Sequence, residues 1–427
     1  MSLRNTESGF ELLSPDRASI WLRHSVSKPK EHVSLTDSDT REAAQRFEKF
    51  ATVLAALFKQ DDWDGRVKSK LLEYPGTTQA PGKLFVKADH ELPMTGSIKA
   101  RGGVYELLCR IEALALEAGL IDENHSYDAL LKPSARDLFS AHRVVVASTG
   151  NLGFSVGLVA RAFGMNAEIH MSSDAKRWKK DRLRNIGADV IEYDSDYEQA
   201  VGRARRACEQ QGGYFIDDER SVDLFVGYTT AARELAVQLR DRGLEISPRR
   251  PLVVYLPCGV GGAPGGVAWG LRNIYGPNVV PVFVEPIASA CVYVALAKGD
   301  GESVSVYDYG LNNDTIADGL AVPKASSLVL DLVGPDIDAV VALPDEAMLE
   351  WVKRAWEEAC LRLEPSAASS FAAVSPFLDS LGDGSLFGRE INANDIRSGV
   401  HVVWTTGGAL LPDEEFYELL RWPECEQ

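Results

Sequence analysis

Four short segments combine reactive or hydrogen-bonding side chains with glycine. The first spans residues 95–103, where Lys99 stands among small residues at the predicted start of a helix. Neighbouring positive charge and removal from water both lower a lysine pKa, and a deprotonated amine can form a Schiff base. The alternative for a single lysine of this kind is a solvated surface residue.

The second segment, residues 148–153, follows a predicted buried strand at residues 143–147. Its hydroxyl residues and glycines would expose backbone N–H groups at a helix start, where such groups bind a carboxylate or a phosphate. The alternative is an ordinary helix cap made by Ser148 or Asn151.

The third segment, residues 258–266, contains five glycines in nine residues and follows a predicted strand at residues 252–256. A loop of this composition can surround a phosphate with backbone amides and needs no lysine. No Gly-Lys-Ser/Thr follows, and Pro264 occupies the third glycine position of GxGxxG, so the segment is neither a P-loop nor a dinucleotide motif. A glycine-rich hinge is the alternative.

The fourth segment is Thr405-Thr406-Gly407-Gly408, after a predicted strand at residues 401–404. A threonine hydroxyl on a glycine turn can hydrogen-bond a heteroaromatic nitrogen, and a plain turn is the alternative. Together, the four segments supply the groups that hold pyridoxal phosphate and an amino acid.

Two runs of alternating strands and helices must position these segments. Strands separated by helices of this length form βαβ units with parallel sheets, and two such blocks place a ligand in the cleft between them. The predicted strands are residues 84–88, 143–147, 167–171, 189–193, 214–216, 252–256, 279–284 and 401–404. The predicted helices are residues 41–59, 151–163, 176–185, 197–210 and 224–240.

The charge, the cysteine spacing and the lack of long apolar runs disfavour several classes of protein. The 427 residues include 45 Lys and Arg against 62 Asp and Glu, a net charge of −17, which disfavours nucleic acid and anionic membranes as partners. Six cysteines without a CxxC spacing indicate reduced thiols, and neither a signal core nor an 18-residue apolar run occurs. We therefore expect a cytoplasmic enzyme. The basic run at residues 176–182 is predicted to be a solvated helix face, and residues 117–138 a polar surface insertion.

Five motifs resemble the D-serine dehydratase family of fold type II (tryptophan synthase β-like) pyridoxal-phosphate enzymes. They are residues 97–103, 148–153, 214–219, 315–322 and 364–367, and the resemblance extends over residues 75–412. It implies an α/β fold of two open domains with the active site in the interdomain cleft. Residues 140–218 would form the small domain, residues 219–427 the rest of the large domain, and residues 1–139 its first part with an N-terminal extension. The first 75 residues carry no diagnostic motif and are expected to pack on the large domain.

The resemblance also assigns roles to single residues. Lys99 would carry the cofactor and handle the α-proton, with Thr149 as a second catalytic residue. The remaining cofactor-binding residues would be Asn151 at the 3′-oxygen, Gly259, Val260, Gly261 and Gly262 at the phosphate, and Thr406 at the pyridine nitrogen. The substrate carboxylate would bind Ser148, Thr149 and Gly150.

Two acidic residues have structural alternatives. By resemblance, Asp217 is preferred over Asp218 as the group that contacts the substrate hydroxyl or amine, and a helix cap is the alternative. Glu285 would help to bind a monovalent cation, K⁺ or Na⁺, and a structural salt bridge is the alternative.

The activity implied is pyridoxal-phosphate-dependent β-elimination of D-serine to pyruvate and ammonia, a step of D-amino acid metabolism. D-Threonine, L-serine, L-threonine or a diamino acid are alternative substrates, and a non-catalytic cofactor- or amino-acid-binding protein is the alternative of another class. The expected partner is a small amino acid, without nucleic acid or membrane. Monomer and homodimer both remain open.

Overall fold

The computed structural model describes residues 13–14, 16–23, 35–76, 82–122, 126–148, 150–173, 175–194, 197–299 and 302–421, without the side chains of residues 197–200. The strands are β1 (Ser19–Leu22), β2 (Leu71–Glu73), β3 (Leu84–Lys87), β4 (Arg143–Ala147), β5 (Asn166–Ser172), β6 (Asp189–Tyr193), β7 (Tyr214–Ile216), β8 (Leu252–Pro257), β9 (Val279–Pro286), β10 (Ala339–Leu343) and β11 (Val400–Trp404). The helices are α1 (Asp37–Phe58), α2 (Lys99–Glu117), α3 (Pro133–Ser140), α4 (Asn151–Phe163), α5 (Arg177–Asn185), α6 (Tyr197–Gln211), α7 (Val222–Asp241), α8 (Gly262–Tyr275), α9 (Cys291–Lys298), α10 (Ser327–Val333), α11 (Asp345–Ala359), α12 (Pro365–Ala372), α13 (Val374–Asp379), α14 (Ala393–Arg397) and α15 (Asp413–Leu420). None of these described helices is both long and apolar enough to cross a membrane.

The chain forms two compact units. The first comprises Met1–Leu35, Ser69–Glu91 and Ala231–Gln427, and the second comprises Thr36–Lys68 and Leu92–Thr230. The second unit therefore extends beyond the predicted small domain at residues 140–218. The physical reason is that α1 and α2 pack within this unit, as the 5.5 Å contact between the rings of Phe47 and Tyr105 shows.

The first unit contains a seven-stranded sheet in the order β1-β10-β9-β8-β11-β3-β2. Its five central strands are parallel, and the short edge strands β1 and β2 are antiparallel to their neighbours. Every residue of β8, β9 and β11 is buried, as expected for strands covered on both faces. The carboxyl ends of β8, β11 and β3 therefore meet at one edge of the sheet.

The second unit contains a four-stranded, fully parallel sheet in the order β6-β5-β4-β7. Because β4 and β7 are neighbours, the turns that follow them, residues 148–150 and 217–218, lie at the same edge. Both sheets are parallel in their interiors, so the prediction of two open α/β blocks is confirmed.

Two regions differ from the sequence prediction. Helix α1 begins four residues earlier than predicted because Thr36 and Asp39 form a capping box. Residues 117–138 are not a polar surface insertion throughout. Tyr127 is buried, and its ring centre lies 4.9 Å from that of Phe50. This contact removes the apolar surface of both rings from water, which stabilises the packing of residue 127 on α1.

Candidate active site

The glycine-rich segment after β8 forms a cup of backbone amides in the first unit. Gly261 has a φ of +105° and caps α8, so a residue with a side chain would be strained there. Among the described residues, no acceptor takes the N–H groups of residues 259–262. Four unpaired amides at a helix start fit a phosphate, and Pro264 lies in the first turn, where a missing N–H is not needed.

One of the other motifs lines this cup, and a second packs against the first. A Cβ on Gly259 would lie 3.2 Å from Cα of Leu320, and one on Gly319 would lie 3.0 Å from Oγ of Ser366. Residues 315–322 therefore approach the cup, and residues 364–367 approach residues 315–322, so closely that a side chain at either glycine would force its neighbour to shift. The Oγ of Ser366 is buried without a hydrogen-bond partner among the described residues, which leaves it available to a ligand.

The two threonines after β11 have different surroundings. Thr405 is fully buried, and its hydroxyl donates to the carbonyl of Lys87 over 3.0 Å. Thr406 is half-buried, and its hydroxyl makes no hydrogen bond to the described residues. Gly408, with a φ of +135°, keeps this turn against residues 362–364, where a Cβ would meet backbone at about 2.5 Å. Thr406 thus has the free hydroxyl that its predicted role requires.

His90 lies at the same sheet edge, after β3, and was not singled out from the sequence. Its Nδ1 is 2.7 Å from the hydroxyl of Thr405, whose only proton goes to the carbonyl of Lys87. The Nδ1 must therefore be the donor, which leaves Nε2 as a buried acceptor with no hydrogen bond to the described residues. Burial lowers the pKa of His90 to about 4, so the ring is neutral at pH 7.

Lys99 is the first residue of α2 in the second unit, as predicted. Its Nζ is 3.0 Å from Oδ2 of Asp218 and 5.9 Å from the ring centre of Tyr228. Gly102 is required one turn later, since a Cβ there would lie 2.3 Å from the Tyr228 ring. The helix, the turn after β7 and the start of α7 together fix the amine.

The charge environment of Lys99 is the opposite of the expected one. Burial disfavours its ammonium form, but the negative charge of Asp218 and the Tyr228 hydroxyl outweigh burial and raise the pKa of Lys99 above its ordinary value. The prediction that nearby positive charge lowers this pKa is therefore wrong. The arrangement favours the ammonium form of Lys99 beside the Asp218 carboxylate.

Three buried polar atoms lack partners within the described residues and belong to Asp218 and Tyr228, which contact Lys99, and to Ser97, two residues before it. They are Oγ of Ser97, Oδ1 of Asp218 and the Tyr228 hydroxyl oxygen. A buried polar atom without a hydrogen bond costs about 1–3 kcal/mol, so such atoms are kept mainly where a ligand supplies the missing bond. These atoms fit a polar cofactor or substrate next to the amine.

The neighbouring carboxylates of Asp217 and Asp218 contact different groups. Asp217 accepts a hydrogen bond from Arg205 over 2.6 Å and from the backbone N–H of Glu219 over 3.1 Å. It holds the turn after β7, which is the structural alternative to its predicted contact with substrate. Asp218, the less preferred of the two from the sequence, is the one that contacts Lys99. Sequence spacing does not separate neighbouring carboxylates on a turn, because their directions depend on the fold.

The turn after β4 is a helix cap as well as a candidate anion site. The Oγ of Ser148 accepts the N–H groups of Gly150 and Gly153 over 3.0 and 2.9 Å, so this side chain supports the turn. Asn151 is the first residue of α4. The predicted role of Thr149 lies outside the described residues, and the roles of Gly150 and Asn151 stay predictions.

Lys179 is a second residue that the sequence did not single out. It is 6% exposed, and its Nζ lies 3.1 Å from the position of a Cβ on Gly150. The ammonium group therefore stands over the turn that was predicted to bind a carboxylate. Gly150 is required there, because any side chain would displace the lysine.

The basic run around Lys179 is not the solvated face that its composition predicted. Lys180 is buried and its Nζ is 2.7 Å from Oε2 of Glu192. The Arg182 guanidinium lies 3.8 Å from the ring centre of Phe154, and burial lowers its pKa to about 10. The run packs inward because α5 lies on α4 within the second unit.

Glu285, at the end of β9, is fully buried. Its Oε1 accepts the N–H of Val292 over 2.8 Å and its Oε2 the N–H of Tyr293 over 2.9 Å, so it caps α9. Burial raises its pKa to about 8, opposed by these hydrogen bonds. The described residues contain no cluster of three acidic, His or Cys side chains that could hold a metal. The cation stays a prediction, and the observed role of Glu285 is that of a helix cap.

The chain matches a known protein family. Residues 63–386 match the family model described as "Pyridoxal-phosphate dependent enzyme". A protein of Rhizobium leguminosarum bv. trifolii named "Probable D-serine dehydratase" is 42% identical over 96% of both chains. A protein of the same name from Fusobacterium nucleatum is 41% identical over 89% of both.

Solved structures show the same fold. Holo diaminopropionate ammonia lyase from Escherichia coli covers 96% of this chain and 98% of its own, with a TM-score of 0.71 and 19% identity. The same enzyme in complex with D-serine superposes with a TM-score of 0.69 at 19% identity and the same coverage. At this identity the likeness establishes the fold alone.

Proposed function

Since the chain belongs to the pyridoxal-phosphate dependent enzyme family, we propose that it eliminates water from D-serine to give pyruvate and ammonia. The relatives named probable D-serine dehydratase support the substrate. The observation that carries the chemistry is the Lys99–Asp218 pair at the start of α2.

Pyridoxal phosphate, when bound, withdraws electrons from the α-carbon of the attached amino acid. Lys99 would hold its aldehyde carbon, and the amides of residues 259–262 its phosphate. Asn151 would hydrogen-bond the 3′-oxygen. Thr406 would face the pyridine nitrogen, and a hydroxyl keeps that nitrogen protonated less well than a carboxylate does. The weaker electron withdrawal favours prompt loss of a β-substituent.

Elimination removes the α-proton and releases the β-hydroxyl, with a proton, as water, and the aminoacrylate that leaves the site takes up water to give pyruvate and ammonia. Lys99 would act as the base when its amine is free, and Asp218 would then stabilise the ammonium ion that results. The Oδ1 of Asp218, which has no partner among the described residues, would bind the substrate hydroxyl or amine. Thr149 remains the second predicted catalytic residue. Proton transfer by positioned groups contributes about 10²–10⁴-fold.

The turn after β4 would bind the substrate carboxylate. The N–H of Gly150 already donates to Oγ of Ser148, so the amide of Asn151, the first residue of α4, would donate to the carboxylate, and Lys179 adds a positive charge above the turn. A helix start and an ammonium group acting on one carboxylate orient the α-carbon. The cytoplasmic location and the choice between monomer and homodimer stay predictions.

The cofactor attachment is tested by reducing the cofactor-loaded protein with borohydride and mapping the labelled peptide. We expect the label on Lys99 and its loss in Lys99→Ala, with exposed Lys132→Ala labelled normally. Covalent label in Lys99→Ala would contradict the assignment.

The alternatives are tested with D-serine, D-threonine, L-serine, L-threonine and 2,3-diaminopropionate, scored by pyruvate or 2-oxobutanoate release. We expect D-serine to react fastest. If none of them yields an oxo acid or changes the cofactor spectrum, the protein is a non-catalytic binder.

A further inference from the structure

A cavity of about 480 Å³ lies in the second unit, lined in part by Arg110, Arg143 and Tyr214. Its lining residues 141–143, 165 and 211–214 lie at or just before the amino ends of β4, β5 and β7. The turns at residues 148–150 and 217–218 follow the carboxyl ends of β4 and β7. The cavity is therefore at the opposite edge of this sheet from the candidate catalytic groups, and the proposed function does not use it.

The charge of the lining is positive. Arg110 and Arg143 contribute to it, with Arg143 paired to Glu168, and none of its lining residues is acidic. The chain as a whole has a net charge of −17, so a lining with only basic charged groups is a local exception. The negative charge of the rest of the protein would repel small anions, whereas the lining of this cavity would attract them.

Among the described residues, Arg110 has no counterion. It forms no ion pair or hydrogen bond with the described residues, and its Nε is buried. Its guanidinium lies 5.4 Å from the ring centre of Tyr214, which holds the planar group in place. Arg143 already has hydrogen-bond partners, because its Nη1 donates to Glu168 over 3.0 Å and to Gln211 over 3.1 Å. A buried guanidinium nitrogen without an acceptor points to a missing oxyanion.

The wall of the cavity has little space for side chains. Gly213 has a φ of +130°, and a Cβ there would lie 3.3 Å from both Nε of Arg143 and Sγ of Cys208. Tyr214 provides an apolar surface beside Arg110. The volume exceeds what a bare inorganic ion needs, so it suits an oxyanion on an apolar body.

We propose that this cavity binds a small organic anion whose carboxylate or phosphate group pairs with Arg110. A guanidinium donates two parallel N–H bonds to either oxyanion, and this geometry distinguishes it from lysine. Arg110 lies on the same face of α2 as Lys99 and Glu106, because 7 and 11 residues are close to two and three helical turns. The hydroxyl of Tyr214 donates to Oε1 of Glu106 over 3.1 Å, so the cavity adjoins the helix that begins at Lys99.

The test is calorimetric titration of the cofactor-loaded protein with benzoate and with phenyl phosphate, which share one apolar body. Benzyl alcohol serves as the neutral control. We expect one site per chain that D-serine does not displace, with benzyl alcohol binding at least about tenfold more weakly. Tighter binding of either probe identifies the oxyanion.

Arg110→Gln should weaken the anion about tenfold or more, and Arg110→Lys should restore only part of the affinity. Arg206→Gln, which removes the same charge from an exposed position on α6, should leave binding unchanged. A ligand-induced shift of the His142 ring resonances in the unaltered protein tests the same site without a substitution. The proposal is wrong if neither anion binds, if D-serine displaces them, if Arg110→Gln binds equally well, or if the His142 resonances do not move. None of these results bears on D-serine elimination.

Discussion

At the residue scale, two adjacent carboxylates differ in what they contact. Asp218 is 3.0 Å from the amine of Lys99, whereas Asp217 is bound to Arg205 and a backbone N–H. We expect Asp218→Asn to lower kcat/KM for D-serine by about 10²–10³-fold while the cofactor still binds, because proton handling at Lys99 is lost.

Asp217→Asn is the matched variant. It removes a partly exposed ion pair and should cost about 1 kcal/mol of the free energy of unfolding, with a much smaller loss of activity. Kinetics and urea denaturation of both variants check the assignment. Equal losses of activity would contradict the separation of roles.

Lys179 is predicted to bind the substrate carboxylate. Lys179→Met should raise KM for D-serine about tenfold or more with a smaller effect on kcat, because a charge-assisted hydrogen bond to the bound substrate is lost. Lys176→Met removes the same charge from the exposed end of this helix and should change KM little. An unchanged KM in Lys179→Met would show that Lys179 does not bind the substrate carboxylate.

At the scale of elements, local sequence patterns determine most boundaries. The bounds of β4, α4, β6 and β7 match the prediction residue for residue, because each is a short periodic run ended by glycine or polar residues. The position of Lys179 could not be predicted, since a lysine on a charged helix is normally solvated and only the packing of α5 buries it. The same holds for His90, whose significance depends on Thr405, 315 residues away.

The amide cup depends on the conformation of Gly261. Gly261→Ala should weaken binding of pyridoxal phosphate and cost about 1–3 kcal/mol of stability, because φ is +105° and the new Cβ would lie 3.0 Å from Val329. Gly276→Ala is the control, with a φ of +58° and open space around the Cβ at the far end of α8. We expect it to lower stability without changing cofactor affinity. Equal cofactor affinity in the two variants would contradict the role of the cup.

Glu285, which caps α9, is expected to make the free energy of unfolding depend on pH. The pKa of Glu285 is raised to about 8 by burial, against 4.5 ordinarily, so between these pH values the folded protein holds a proton that the unfolded chain has lost. Its contribution to the free energy of unfolding therefore falls as pH rises from 4.5 to 8. Glu285→Gln should flatten this decline, and exposed Glu117→Gln should not. The decline is measured from urea denaturation midpoints between pH 5 and 9. Midpoints of wild type and Glu285→Gln that change in parallel with pH would contradict the role of Glu285.

At the scale of the whole molecule, a net charge of −17 coexists with a doubly anionic cofactor. In the proposed site the cup would bind the phosphate through neutral amides, so long-range attraction would not assist entry. We expect the association rate of pyridoxal phosphate with the cofactor-free protein to rise with ionic strength as repulsion is screened. Stopped-flow measurements at low and physiological salt check this, and a rate that falls with salt would indicate steering by local cations.

The central claim is that this chain eliminates water from D-serine, and the ratio of kcat/KM for D-serine and L-serine tests it most directly. The cofactor-loaded protein is assayed for pyruvate release from each enantiomer under the same conditions. We predict that D-serine is preferred by roughly 100-fold or more, because the carboxylate turn and the Lys99–Asp218 pair must both be engaged. Equal rates, a preference for L-serine, or no pyruvate from either would contradict the account.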